Sequence, residues 1–163
     1  MVLLAAKAYA APLTIGSPAP DVTAPDQDGK PVHFADIYAQ SRLTLVYFYP
    51  KAGTSGCTKE ACSLRDSYDN LHGQGLQIIG VSRDTSAAQK NFAQTNKLPF
   101  TLVADTDGKV AEAFGVPMLM GGTIPLASRQ SFIVKDGKIT WNSLKAQTSG
   151  SAAEVQKALD GLK

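Results

Sequence analysis

Apolar residues along this chain fall into blocks of two kinds. Residues 43–49 (Leu-Thr-Leu-Val-Tyr-Phe-Tyr) are almost entirely apolar and rich in β-branched and aromatic side chains, which predicts a central strand covered on both faces. Residues 76–81 predict a second buried strand. Between them Ala61, Leu64, Tyr68 and Leu71 recur at spacings of 3 and 4, which predicts a helix from Cys57 with one buried face, ended by Gly73 and Gly75. Ser86-Ala87-Ala88-Gln89 has the form of a capping box and opens a helix through about Asn96, and Pro99 blocks its continuation. Residues 100–103 predict a short strand, Asp107-Gly108 a turn, and residues 109–114 a helical segment. Pro117, Gly121, Gly122 and Pro125 make 116–127 a loop. Residues 132–134 and 139–141 flank Asp136-Gly137, a strong hairpin signal. Ser151-Ala152-Ala153-Glu154 predicts the cap of a last helix, with Val155, Ala158, Leu159 and Leu162 on one face. Towards the start, residues 12–30 read as irregular turns and residues 34–38 as a short helix. The order β-α-β-α-β-α-β-β-α implies an α/β protein, a mixed sheet with helices on both faces.

The chain has 163 residues, enough for one domain with a substantial core. Its net charge of +2 is not gathered into a basic block, which argues against nucleic acid as a partner. Hydrophobic residues make up 44%, yet no apolar run approaches a membrane span, so no membrane association is expected. Two cysteines are too few for a disulfide-stapled scaffold or a zinc site without histidine, and His33 and His72 lie on polar stretches, so no metal is expected. Residues 1–10 end in Ala-x-Ala, but Lys7 interrupts their short apolar run and no basic segment precedes it. Residues 1–15 therefore read as a leader remnant or extension, and 16–163 as a single domain. The expected location is cytoplasmic, or periplasmic if the first ten residues are the remnant of a signal.

Cys57 stands between the strand 43–49 and the helix that follows. Unpaired backbone N–H groups and the dipole at a helix start favour an anion. An ordinary thiol is only roughly 3% ionised at pH 7. Thiols at helix starts with a cation nearby titrate at around 5–7 and are nucleophiles. The plainer alternative is a buried structural cysteine. Cys62 follows five residues later, and on an intact helix the two Cα atoms would be roughly 8–9 Å apart. A disulfide needs about 4.4–6.8 Å, so the two cannot bond while the helix is regular.

The residues around Cys57 carry a family pattern. Pro50, Thr54 and Cys57 make Pro-x-x-x-Thr-x-x-Cys, which resembles the peroxidatic motif of the peroxiredoxins. The longer string Tyr-Phe-Tyr-Pro-Lys, then Gly-Cys-Thr-Lys-Glu-Ala-Cys, resembles the bacterioferritin-comigratory-protein or peroxiredoxin Q branch. Ile79-Gly80-Val81-Ser82, Leu98-Pro99-Phe100, Phe114-Gly115-Val116 and Ser128-Arg129-Gln130-Ser131-Phe132-Ile133 agree in order, and the resemblance runs from about Gly16 to the C-terminus. It implies a thioredoxin-like three-layer sandwich, where the pattern alone would fit other three-layer folds as well. It also implies a thiol peroxidase that reduces hydrogen peroxide and alkyl hydroperoxides. Cys57 would be peroxidatic and Cys62 resolving, through an intramolecular disulfide recycled by thioredoxin or a similar dithiol. Thr54 would turn its hydroxyl towards the sulfur or the peroxide, and Arg129 would face the thiolate. Glu60 would position the arginine, with Pro50 and Gly56 shaping the loop. No cofactor is implied. A monomer is expected, with a dimer as the alternative. One departure is Ser55, where many members of the branch have proline. A thiol–disulfide oxidoreductase of the same fold would want Cys-x-x-Cys, which the chain lacks. A non-catalytic redox sensor is the other alternative.

Overall fold

The structure, a computed structural model, describes residues 11–120 and 122–163. A five-stranded sheet organises it. The elements are β1 (Thr23–Pro25), β2 (Pro31–His33), α1 (Phe34–Gln40), β3 (Leu43–Phe48), α2 (Ser55–Asp66), α3 (Tyr68–Gly73), β4 (Leu76–Ser82) and α4 (Ser86–Asn96). There follow β5 (Thr101–Ala104), α5 (Lys109–Ala113), β6 (Met118–Leu119), β7 (Leu126–Ala127), β8 (Gln130–Lys135), β9 (Lys138–Ser143) and α6 (Ser151–Asp160). The sheet order is β5-β4-β3-β8-β9; β5, β4 and β3 run parallel, while β8 and β9 are antiparallel to their neighbours.

Every residue of β3 is buried, because both faces of the sheet are covered. Leu43, Leu45 and Tyr47 point into one core with Ala61 and Leu64 of α2, Leu71 of α3, Phe92 of α4, and Val155 and Leu159 of α6. Val46 and Phe48 point into the other core with Phe34 of α1, Val110 of α5, Phe114 and Phe132. Fully burying a side chain of this kind contributes about 1.5–3 kcal/mol relative to leaving it exposed. The result is a mixed sheet between two helical layers, the thioredoxin-like sandwich the sequence implied.

Asp136 and Gly137 both have positive φ, 51° and 72°, and form a two-residue turn whose twist suits an antiparallel pair. Gly80 lies where a Cβ would come within 2.9 Å of the Tyr47 ring and 2.8 Å of Leu102 Cδ2, so only glycine lets that ring cross the sheet.

Several local expectations need correction. The helix expected from Cys57 to Gly73 is two helices, broken at Ser67 (φ −104°, ψ 6°). Beyond the break Tyr68 stacks on His72 and packs against Phe100, and Leu64, Tyr68 and Leu71 stay on the same core. The cap of α4 is Thr85, whose hydroxyl accepts from Ala88 N, not Ser86; Ser86 Oγ donates instead to Asp26 O. Helix α6 is preceded by Gly150 with no side-chain cap, and Ser63 Oγ accepts from Ala152 N. Residues 12–30 contain the short strand β1, paired with β2 just beyond them, and 116–127 contain β6 paired with β7. These are two or three residues long, too short for periodicity to reveal. The leader reading of residues 1–10 lies outside the described residues. Residues 11–15 adjoin the domain: Leu13 N donates to Phe114 O at 3.1 Å, and Asn142 Nδ2 donates to Leu13 O at 3.0 Å. Among the described residues no helix is long and apolar enough to cross a membrane.

Candidate active site

After Phe48 the chain keeps one more tie to the sheet, with Tyr49 N donating to Val81 O at 3.1 Å. Residues 50–54 then loop over the end of β3. Thr54, extended at φ −76° and ψ 157°, precedes α2, and its carbonyl accepts the bond from Thr58 N at 2.9 Å. The helix therefore starts at Ser55, two residues before the expected boundary. Cys57 sits in its first turn, where backbone N–H groups lack helical acceptors. The side chain faces the core, and the residue is 1% exposed.

Strand β8 supplies the cation. Gln130 pairs with Phe48 in the antiparallel register, so Arg129, one residue before β8, emerges beside the end of β3. Its backbone carbonyl is held by Ala146 N at 3.2 Å. Arg129 Nη2 donates to Cys57 Sγ at 3.4 Å, and Nη1 donates to Glu60 Oε1 at 2.8 Å. Glu60, one turn beyond Cys57, is completely buried (0% exposed). Burial pushes its pKa up to about 8, against the opposing pull of Arg129. Partial burial pulls the Arg129 pKa down, but Glu60 and Cys57 more than offset this, and it stands above its ordinary value. Gly56 leaves room for the guanidinium: a Cβ there would lie 3.2 Å from Arg129 Nη2 and 3.5 Å from Thr148 Cγ2.

Thr54 is exposed, and its hydroxyl donates to Lys51 O at 2.8 Å. That bond uses the hydroxyl's donor and leaves its lone pairs free to accept. Pro50 is partly buried at the start of the same loop. Cys62 lies on the same unbroken helix as Cys57 but faces α4, with its thiol donating to Asn96 Oδ1 at 3.7 Å. Both thiols are free. Sequence reasoning missed the polar groups under the loop. Ala52 N donates to Asp84 Oδ2, and the Tyr49 hydroxyl donates to Gln89 Oε1. The only sequence signal for them is Ser82-x-Asp84 closing an apolar strand. His33 contacts Thr23, and His72 stacks on Tyr68. No group of three metal-ligating side chains converges among the described residues.

A thiol in a helix's first turn, with a guanidinium on its sulfur and a buried carboxylate bracing that guanidinium, suits attack on an electrophile whose leaving atom gathers negative charge. The fold and site define a thioredoxin-like protein whose two cysteines stand five residues apart rather than as a Cys-x-x-Cys pair. The chain belongs to the AhpC/TSA family, which it matches over residues 15–142, and within it to the peroxiredoxins, which are thiol peroxidases. It is 45% identical over 132 residues to peroxiredoxin Bcp of Escherichia coli strain K12, covering 78% of this chain and 83% of that one. It is 38% identical over 156 residues to the chloroplastic peroxiredoxin Q of Sedum lineare, covering 94% and 81%. The crystal structure of peroxidoxin BcpB from Mycobacterium tuberculosis superposes with a TM-score of 0.85 at 28% identity, covering 93% of this chain and 99% of that one.

Proposed function

We propose that Cys57 is the peroxidatic residue and Cys62 the resolving one. The Cys57 thiolate attacks one oxygen of a hydroperoxide. An S–O bond forms, the O–O bond breaks, and the departing oxygen takes a proton to leave as water or an alcohol. Arg129 stabilises the thiolate before attack and the charge on the oxygens during it. Cys62 then attacks the sulfur of the Cys57 sulfenic acid. The new S–S bond expels water, and a thioredoxin-like dithiol reduces the disulfide. Hydrogen peroxide and small alkyl hydroperoxides are the proposed substrates. Both thiols lie on one helix of one chain, so the cycle needs no second copy, and we read the protein as acting as a monomer. Its need for a dithiol reductant suits the cytoplasm.

The observation that supports this most strongly is the Arg129 guanidinium on the Cys57 sulfur, braced by Glu60. Peroxide consumption with thioredoxin and its reductase tests it. The unmodified protein is expected to turn over, and Cys57→Ser to lose activity. A Cys57→Ser protein with undiminished turnover would contradict the assignment.

A further inference from the structure

The loop in front of Cys57 is fastened by a chain of polar groups that the proposed chemistry does not itself use. Ala52 N donates to Asp84 Oδ2 at 2.8 Å, and Ser82 Oγ donates to the same oxygen at 2.6 Å. Ser82 Oγ accepts from Gln89 Nε2 at 2.9 Å, and Gln89 Nε2 also donates to Val103 O at 2.9 Å. The Tyr49 hydroxyl closes the chain on Gln89 Oε1. Tyr49, Ser82 and Gln89 are each 0% exposed.

Buried polar groups are costly unless each finds a partner, and here they find one another. The chain of bonds reaches the loop at Ala52 N, which lies midway along residues 50–54. A bond from a backbone N–H to a carboxylate is among the stronger kinds. The segment is therefore held just before its start, at Tyr49 through its hydroxyl, and at its middle, at Ala52 through its amide. Pro50 and Thr54 are carried between and beside these two anchors, next to the first turn of α2. Residues 50–54 lead directly into the first turn of α2 that carries Cys57, so a fixed loop fixes the residues that border the thiol along the chain.

We propose that Asp84 is a positioning residue for peroxide reduction: by holding the Ala52 N–H it fixes residues 50–54 against the first turn of α2. The proposal rests on Cys57 being peroxidatic. It predicts that loss of the carboxylate slows oxygen transfer to Cys57 while leaving the thiol itself as reactive as before.

The test uses the full chain carrying Cys62→Ser, so that oxidation stops at the sulfenic acid, which a selective trap then reports. With Asp84→Ala added, the second-order rate with hydrogen peroxide is expected to fall at least about tenfold, since small misplacements of reacting groups carry large rate effects. Alkylation of Cys57 by iodoacetamide should stay within about threefold. Asp84→Asn keeps an oxygen for Ala52 N–H and should restore most of the peroxide rate, which a purely electrostatic role for Asp84 would not allow. An unchanged peroxide rate in folded Asp84→Ala overturns the proposal. So do equal losses in the peroxide and alkylation rates, or an Asp84→Asn variant as slow as Asp84→Ala. If Asp84→Ala does not fold, hydrogen exchange at the Ala52 amide of the unmodified reduced protein decides: strong protection supports the latch, and free exchange overturns it. Failure of the parent to form any sulfenic acid at Cys57 counts against the peroxidase reading instead, and the Ala52 amide still reports on the latch.

Discussion

The Arg129 guanidinium divides its two ends between a sulfur and a buried carboxylate, and each neighbour can be altered separately. Gly56→Ala leaves the backbone conformation permissible and should not harm helix stability. Its new methyl would stand 3.2 Å from Arg129 Nη2, and the guanidinium, tied at both ends, must shift by a few tenths of an ångström to accept it. The peroxide rate is therefore expected to fall several-fold with thermal stability unchanged, measured by stopped-flow kinetics and melting curves on the same protein. Glu60 makes a different prediction. In the folded protein burial raises its pKa from 4.5 to about 8. Between those values the folded state holds a proton that the unfolded chain has released, so stability falls as pH rises through this window, by at most about 1.4 kcal/mol per pH unit. Glu60→Gln cannot ionise and should flatten that slope. Urea midpoints at pH 5 and pH 8 for the two proteins measure it, and parallel profiles would contradict it. Asp105, also raised by burial, contributes equally to both proteins and cancels. At this scale the sequence carried the identities of Cys57, Arg129 and Glu60 through their family pattern. It did not carry the complete burial of Glu60 or the turn of the Thr54 hydroxyl onto Lys51, because both are set by contacts outside the local pattern.

Helix α2 is held by different ties along its length. Its first half rests on the Arg129–Glu60–Cys57 cluster. Its second half is tied to α6 by Ser63 Oγ, which accepts from Ala152 N at 3.0 Å, and to α4 by Arg65 Nη1, which donates to Asn96 O at 2.8 Å. Forming a Cys57–Cys62 disulfide on this helix must unwind its first turns. That sacrifices a few helical hydrogen bonds, each contributing roughly 0.5–1.5 kcal/mol net, which is within reach of local unfolding. Hydrogen exchange over residues 57–62 is expected to be slow in the reduced protein and fast in the oxidised one, with the segment around Arg65 keeping more protection. Equal protection of 57–62 in both states, with the intramolecular disulfide present, would contradict it. Strands β3, β4 and β8 and helices α4 and α6 were legible because their apolar periods are long enough to register. The break at Ser67 was not, since Leu64, Tyr68 and Leu71 keep helical spacing across it. Capping shifted by one residue at both α4 and α6, because Ser86 and Ser63 take up bonds to distant parts of the chain.

For the molecule as a whole, the topology explains why these residues meet. Strand β3 lies between parallel β4 and antiparallel β8. The end of β3 is therefore where the helix carrying Cys57, the residue Arg129 that leads into β8, and the Ser82–Asp84 segment at the end of β4 converge. Arg129 and Cys57 are 72 residues apart in sequence, a pairing that only the closed sheet can make. The alternation of strands and helices and the Asp136-Gly137 hairpin made the layered fold readable in advance. The polar chain from Ala52 to Gln89 was not, because its members are scattered single residues with no period. The central claim is that one peroxide oxidises Cys57 and that Cys62 resolves it within the same chain. The most direct measurement is intact-mass analysis with peptide mapping after one equivalent of hydrogen peroxide, on the unmodified protein and on Cys62→Ser. The account predicts a monomer that has lost two hydrogens as a Cys57–Cys62 disulfide, and in Cys62→Ser a single added oxygen on Cys57. Oxygen added at Cys62 with Cys57 left as a thiol, or a disulfide joining two chains, would contradict it.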